Sequence, residues 1–115
     1  MAGSGWVLLH MVRSRRVPLD PADVFFLEAD GDETLVRTHR ARTLRDVRSL
    51  GQVMAAFKRH GFVRVHRSLA VNPRRVRELR PRGAGGEWEL RLQPPVNRVL
   101  RVSRAGLKAL LAVFD

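Results

Sequence analysis

The chain has 115 residues, 44% of them hydrophobic, which suits one domain with one modest core and argues against bulk disorder. It carries 22 Lys and Arg against 11 Asp and Glu, a formal net charge of +11, and every base except Lys58 and Lys108 is Arg. With no cysteine it can build neither a disulfide framework nor a thiolate zinc site, and no apolar run approaches the ~18 residues of a membrane span.

The charge is unevenly placed. Residues 1–33 hold three bases and six acids, whereas residues 34–115 hold 19 bases and five acids, so a polyanion would be gripped mainly by the later segment. An Arg-rich surface suits phosphate and base recognition, because guanidinium is a rigid fork of donors. Biased codon use would give the same Arg-over-Lys ratio, but it does not account for the net charge. The opening MAGSGWVLLHMV has too short an apolar stretch and no basic leader for a signal peptide, so a cytoplasmic protein is the expectation.

In chain order, Trp6 to Val12 and Arg15 to Leu19 read as strands, Pro18 marking the second as an edge or as ending there. Asp20 to Asp23 is a turn or a single helical turn opened by an Asp cap. Val24 to Glu28 is an apolar run of strand length, and Asp30-Gly31-Asp32 turns it into Thr34 to His39. A further short strand is expected at Thr43 to Val47. Ser49 with Gln52 makes a capping-box pair, after which Leu50, Val53, Met54 and Phe57 fall on one helical face until Gly61. After a strand from Phe62 and a break at Pro73, strands are expected at Val76 to Leu79, Trp88 to Leu92 and Val99 to Val102. The loop Gly83 to Gly86 joins the first two of these. Ser103 can cap a short terminal helix with Leu107, Leu110, Leu111 and Phe114 on one face. Many short strands with one good helix make a mainly-β single domain.

The most informative stretch is Phe62 to Asn72, FVRVHRSLAVN. Alternation sends Val63 and Val65 to one face of a strand and Phe62, Arg64 and His66 to the other. Arg67-Ser68 follows where the apolar pattern stops, so a guanidinium is carried out at a strand end, a geometry that suits guanine edges and phosphates. Phe62 and Val71 are candidates for the core, Asn72 for tying down a turn through its amide, and His66 for a hydrogen-bonded structural role.

This run resembles the signature of the LytTR DNA-binding domain, a bacterial transcription-factor module, which reads roughly F-x-R-x-H-R-S followed by V-N. Phe62, Arg64, His66, Arg67, Ser68, Val71 and Asn72 match it. The likeness extends over nearly the whole chain, through Val17-Pro18-Leu19, Phe25 to Ala29, Ser49 to Phe57 and the closing Val102-Ser103-Arg104. It implies an elongated fold of antiparallel sheets stacked as a sandwich, with DNA read through loops. Double-stranded DNA would be the partner, with two copies on paired direct repeats about one helical turn apart. The receiver or sensor domain that such proteins commonly carry upstream is absent here, so the chain is expected to be an excised module or a stand-alone regulator.

The resemblance makes Arg67 the first candidate reader, with Ser68 beside it, and Arg104 the second contact. The third contact region falls at Asp30 to Thr34, where Thr34 aligns with the family's contact residue. Asp30, Asp32 and Glu33 there should repel phosphate, and Arg37, His39, Arg40 and Arg42 could supply the missing positive charge. Arg74 and Arg75 open a second basic run and are candidates for phosphate clamping. No H-E-x-x-H pair, G-x-S-x-G elbow or phosphate loop is present, so no enzyme, metal or cofactor is expected. The alternative reading is an RNA-binding accessory protein of ribosomal or single-strand type. The absence of Tyr and the placing of Phe and Trp in apolar runs count against it. A generic β-module whose charge serves only solubility is the third.

Overall fold

The computed structural model describes residues 5–39 and 42–115. Its strands are β1 (Val7–Met11), β2 (Arg15–Leu19), β3 (Val24–Asp30), β4 (Glu33–Thr38), β5 (Thr43–Asp46), β6 (Val63–His66), β7 (Leu69–Val71), β8 (Val76–Arg82), β9 (Glu87–Leu92) and β10 (Val99–Val102). Helix α1 spans Leu50–Phe57 and α2 spans Arg104–Phe114, and single 3-10 turns precede β3, follow α1 and precede β8. All strand pairs are antiparallel, in a ribbon β1-β2, a five-stranded sheet β5-β4-β3-β7-β6 and a three-stranded sheet β10-β9-β8.

The five-stranded sheet is the middle layer, because strand alternation sends buried residues to both of its faces. On one face Leu27, Val36 and Ala70 meet Val7 and Leu9 of the ribbon and Leu50, Val53 and Phe57 of α1. On the other, Phe26, Val65, Leu69 and Val71 meet Leu90, Leu92, Leu100 and Val102 of the three-stranded sheet and Leu110 of α2. The expected single core is therefore two, stacked along a molecule of 46 × 34 × 25 Å. Consecutive residues Phe25 and Phe26 enter the same cluster because the β3–β4 register shifts between Val24 and Phe26, a bulge that turns Phe25 over. An Arg guanidinium covers each ring, Arg75 at 4.9 Å from Phe25 and Arg98 at 5.0 Å from Phe26.

Helix α1 begins as its sequence requires. The Ser49 hydroxyl accepts the Gln52 N–H, and Gln52 returns an oxygen to the Ser49 N–H at 3.0 Å. Gly61, at φ +87°, then turns the chain out of the helical region. The terminal helix is longer than its short apolar pattern implied, 11 residues, and only part of its expected face is covered. Leu110 is buried and Leu107 half-buried, but Leu111 and Phe114 stay exposed. Strand β8 runs on through Pro81, which is tolerated because β8 is a sheet edge.

A buried polar clasp fastens the β1–β2 ribbon to the rest. Asp46, fully buried at the end of β5, accepts from the Arg48 guanidinium (2.9 and 3.0 Å) and from the backbone N–H groups of His10 and Arg48 (both 2.9 Å). Burial alone would push its carboxyl up, but the Arg48 guanidinium and these two N–H groups outweigh it and hold Asp46 below the ordinary carboxylate value.

Candidate nucleic-acid interface

The signature stretch is a hairpin, not one strand. Leu69–Val71 folds back on β6, and Arg67-Ser68 forms the two-residue turn between His66 and its partner Leu69. Such turns ordinarily rely on Gly or Asn at positive φ. Here neither residue has positive φ, and side chains close the turn instead. His66 Nδ1 accepts the Ser68 N–H at 3.2 Å and lies 3.0 Å from Ser68 Oγ. The Arg64 guanidinium crosses the turn and donates to the carbonyls of His66 and Arg67. Arg67 is left exposed at the tip, and its own guanidinium has no hydrogen bond or ion pair among the described residues.

The pairing of β6 with β7 also shifts between Arg64 and His66, which makes Val65 the extra residue of a bulge. Its carbonyl, released from the ladder, accepts from the Ser103 N–H at 2.8 Å and the Ser103 hydroxyl at 3.1 Å. Ser103 Oγ in turn accepts the Gly106 N–H at 3.0 Å and caps α2. One carbonyl thus binds the start of α2 to the strand that presents Arg67. Arg104, the first residue of α2, is exposed and has no hydrogen bond or ion pair among the described residues. A cation at a helix N-terminus is electrostatically misplaced for stability.

The β3–β4 loop belongs to the same end of the molecule, since the Ala29 N–H donates to the Ser68 carbonyl at 2.9 Å. Its acids are partly neutralised. Arg45 of β5 reaches Asp30 at 2.8 Å and Glu33 at 3.1 Å, both acids raising its pKa. The compensating charge therefore comes from Arg45, which sequence reasoning passed over, and not from Arg37, His39 or Arg42. Arg37 lies near the other end of β4 and His39 and Arg42 follow it there, where the His39 N–H donates to the Asp23 carbonyl and His39 Nδ1 lies 3.7 Å from Asp23. Arg40 lies outside the described residues.

Thr34 is a correction. It is fully buried, with its hydroxyl donating to the Arg48 carbonyl at 2.9 Å, so it supports the clasp region and cannot touch a duplex. Arg74 and Arg75 follow β7 at the end opposite Arg67, and the fold does not bring them to the Arg67–Arg104 surface. Arg74 is exposed, but the Arg75 guanidinium donates twice to the Ala22 carbonyl (3.1 and 2.6 Å) and stacks on Phe25. Asn72 is buried and does what its position predicts, donating to the Val24 carbonyl at 3.1 Å and accepting the Arg74 N–H. Phe62 and Val71 are core residues.

A family model for the LytTr DNA-binding domain matches residues 14–115. The chain belongs to the LytTr DNA-binding domain family. Its structure is similar to that of the LytTr DNA-binding domain of a methyl-accepting/DNA response regulator from Bacillus cereus. The identity is 21% and the TM-score 0.76, over 98% of this chain and 99% of that one. No curated protein matches. The family is one of DNA-binding domains acting in transcription regulation, not of enzymes, which makes DNA the partner of this LytTR domain. Among the described residues no helix is long and apolar enough to cross a membrane.

Proposed function

We propose that this LytTR domain binds double-stranded DNA sequence-specifically, reading base edges with Arg67 from the β6–β7 turn and with Arg104 from the start of α2. The observation that carries this reading is the pair itself. Two exposed guanidinium groups without partners among the described residues stand at the β6–β7 turn and at the start of α2, which is fastened to the Val65 carbonyl of β6. Free donors held in place by a satisfied frame are what a bidentate contact to guanine requires. Ser68 adds a hydroxyl beside Arg67. The β3–β4 loop, with Arg45 balancing Asp30 and Glu33, is close enough to the same surface to meet the duplex alongside them.

The protein acts on paired direct repeats about one helical turn apart, one copy on each, in bacterial transcription regulation. The residues from 6 to 114 serve as a single DNA-binding unit. Selection of bound duplexes from a random pool, read by sequencing, tests this. The expected result is an enriched direct repeat. A pool without enrichment, or tighter binding to single-stranded RNA than to any duplex, would favour the RNA-binding alternative. Binding to the selected duplex should also weaken with salt, each neutralised phosphate contributing about −0.9 to the slope of log affinity against log salt. A flat salt response would leave the charge without a role on DNA.

A further inference from the structure

Between the β6–β7 turn and the β8–β9 hairpin lies an open cleft of about 220 Å³, lined by His66, Arg82, Glu87, Trp88, Arg101 and Ser103. It sits between the two proposed readers, since His66 immediately precedes Arg67 and Ser103 immediately precedes Arg104. The arginines of β8 that flank it are engaged. Arg80 Nε donates to Glu89 at 2.8 Å, and Arg82 lies 3.8 Å from both Glu87 and Glu89. Arg101 is different. In the β9–β10 register it stands opposite Glu89, where a cross-strand ion pair is the usual arrangement. Arg80 and Arg82 occupy that carboxylate from the other side, and Arg101 has no hydrogen bond or ion pair among the described residues. It is an exposed cation with its donors unspent, at a cleft flanked by both readers.

We propose that this cleft seats a backbone phosphate of the bound duplex, with Arg101 as its main ligand and Arg82 as the second cation. The proposal rests on the DNA-binding reading above and extends the contact surface to the three-stranded sheet. Glu87 is the one opposing charge in the lining. Its side chain is 69% exposed and only loosely paired with Arg82, so it can swing into solvent as the phosphate takes its place. Beyond it, Gly83-Ala84-Gly85-Gly86 carries no side chain larger than a methyl group, and a sugar-phosphate backbone can pass close to the hairpin tip. A phosphate contact here would fix the register of the readers without carrying sequence information.

Anisotropy titrations with the selected duplex and a scrambled one, at salt from roughly 50 to 200 mM, decide the matter. The variants are Arg101→Gln, Arg101→Lys and Glu87→Gln. Arg77→Gln serves as a control, because Arg77 is another exposed arginine, at the other end of β8. Arg101→Gln should bind both duplexes about tenfold more weakly and flatten the salt slope by about 0.9, leaving the preference between them unchanged. Arg101→Lys should recover most of the loss, and Glu87→Gln should tighten binding to both duplexes. Melting curves confirm that each variant is folded. If Arg101→Gln behaves like Arg77→Gln while the parent still binds with a steep salt slope, the phosphate seat is wrong and the DNA reading stands. If Arg101→Gln loses the preference for the selected duplex, Arg101 reads bases and the phosphate assignment falls. A parent protein with no salt-dependent duplex binding removes both.

Discussion

Among the described residues the Arg67 and Arg104 guanidinium groups have no protein partner, and unlike Arg74, whose side chain is also free but lies at the opposite end, they flank one surface. Arg64 closes the turn beneath Arg67, Arg75 is spent on the Ala22 carbonyl and Arg45 is spent on Asp30 and Glu33. Replacing Arg67 with Ala should therefore cost about 1–3 kcal/mol of binding to the selected duplex and relax the preference at one base pair, leaving folding untouched. Arg104→Ala should weaken binding while leaving stability within about 0.5 kcal/mol, since it removes only an exposed cation from the wrong end of a helix dipole. Melting and binding measured side by side separate these from structural losses. An Arg104→Ala protein that melts early yet binds normally would make Arg104 part of the frame. Thr34 is the counterexample. Its buried hydroxyl satisfies the Arg48 carbonyl, so Thr34→Ala should cost about 1–2 kcal/mol of stability and leave the affinity of the folded protein unchanged. An exposed turn position and a buried strand position look alike in a stretch such as Asp-Glu-Thr-Leu-Val, because the residue that pairs with the threonine is 14 positions away.

At the scale of elements, α1 and most of the strand segments were legible because local chemistry determines them, whereas the sheet arrangement was not. The capping box, the apolar spacing and Gly61 all act within one segment. The β6–β7 hairpin was not, because its turn has no Gly, Pro or Asn and is closed by Arg64 and His66. The bulge at Val65 was hidden too, since an extra residue leaves no mark in an alternating pattern. One residue did carry a readable signal. Gly106 sits inside α2, where glycine is disfavoured by about 1 kcal/mol relative to alanine and so needs a reason. The structure supplies it. A Cβ at Gly106 would lie 2.1 Å from the Val65 carbonyl oxygen, a backbone atom that cannot step aside without breaking its bonds to Ser103. Gly106→Ala, which ought to strengthen an isolated helix, should here destabilise the protein by at least about 2 kcal/mol through this clash. It should also weaken DNA binding in the folded fraction, because it pries Arg104 away from Arg67. A thermal melt with a binding titration tests both, and a variant as stable as the parent would mean that α2 is not held against β6 as described.

For the molecule as a whole, the two cores make the five-stranded sheet common to everything, and the β1–β2 ribbon is the layer most dependent on a single polar site. Asp46 receives four hydrogen bonds, two from the Arg48 guanidinium and two from backbone N–H groups, while Arg48 also donates to the Leu8 carbonyl at 3.3 Å. The ribbon's β1 strand is thereby held through His10 and Leu8 to the end of β5. Asp46→Ala leaves a cation and two N–H groups without their acceptor, and removal of one partner from such a pair costs about 3 kcal/mol. Protonation of Asp46 should act in the same direction. Its folded-state pKa lies below the ordinary value of 3.8, so the folded protein releases this proton more readily than the unfolded chain does. The stabilisation is then fully present once the pH is well above that value and is lost as the pH falls through the folded pKa. Acid denaturation monitored by tryptophan fluorescence should accordingly show stability falling below about pH 4. The Asp46→Ala protein should begin from a lower stability and lose less of it across that window. Parallel acid profiles for the two proteins would detach the clasp from the acid response and assign that response to other carboxylates.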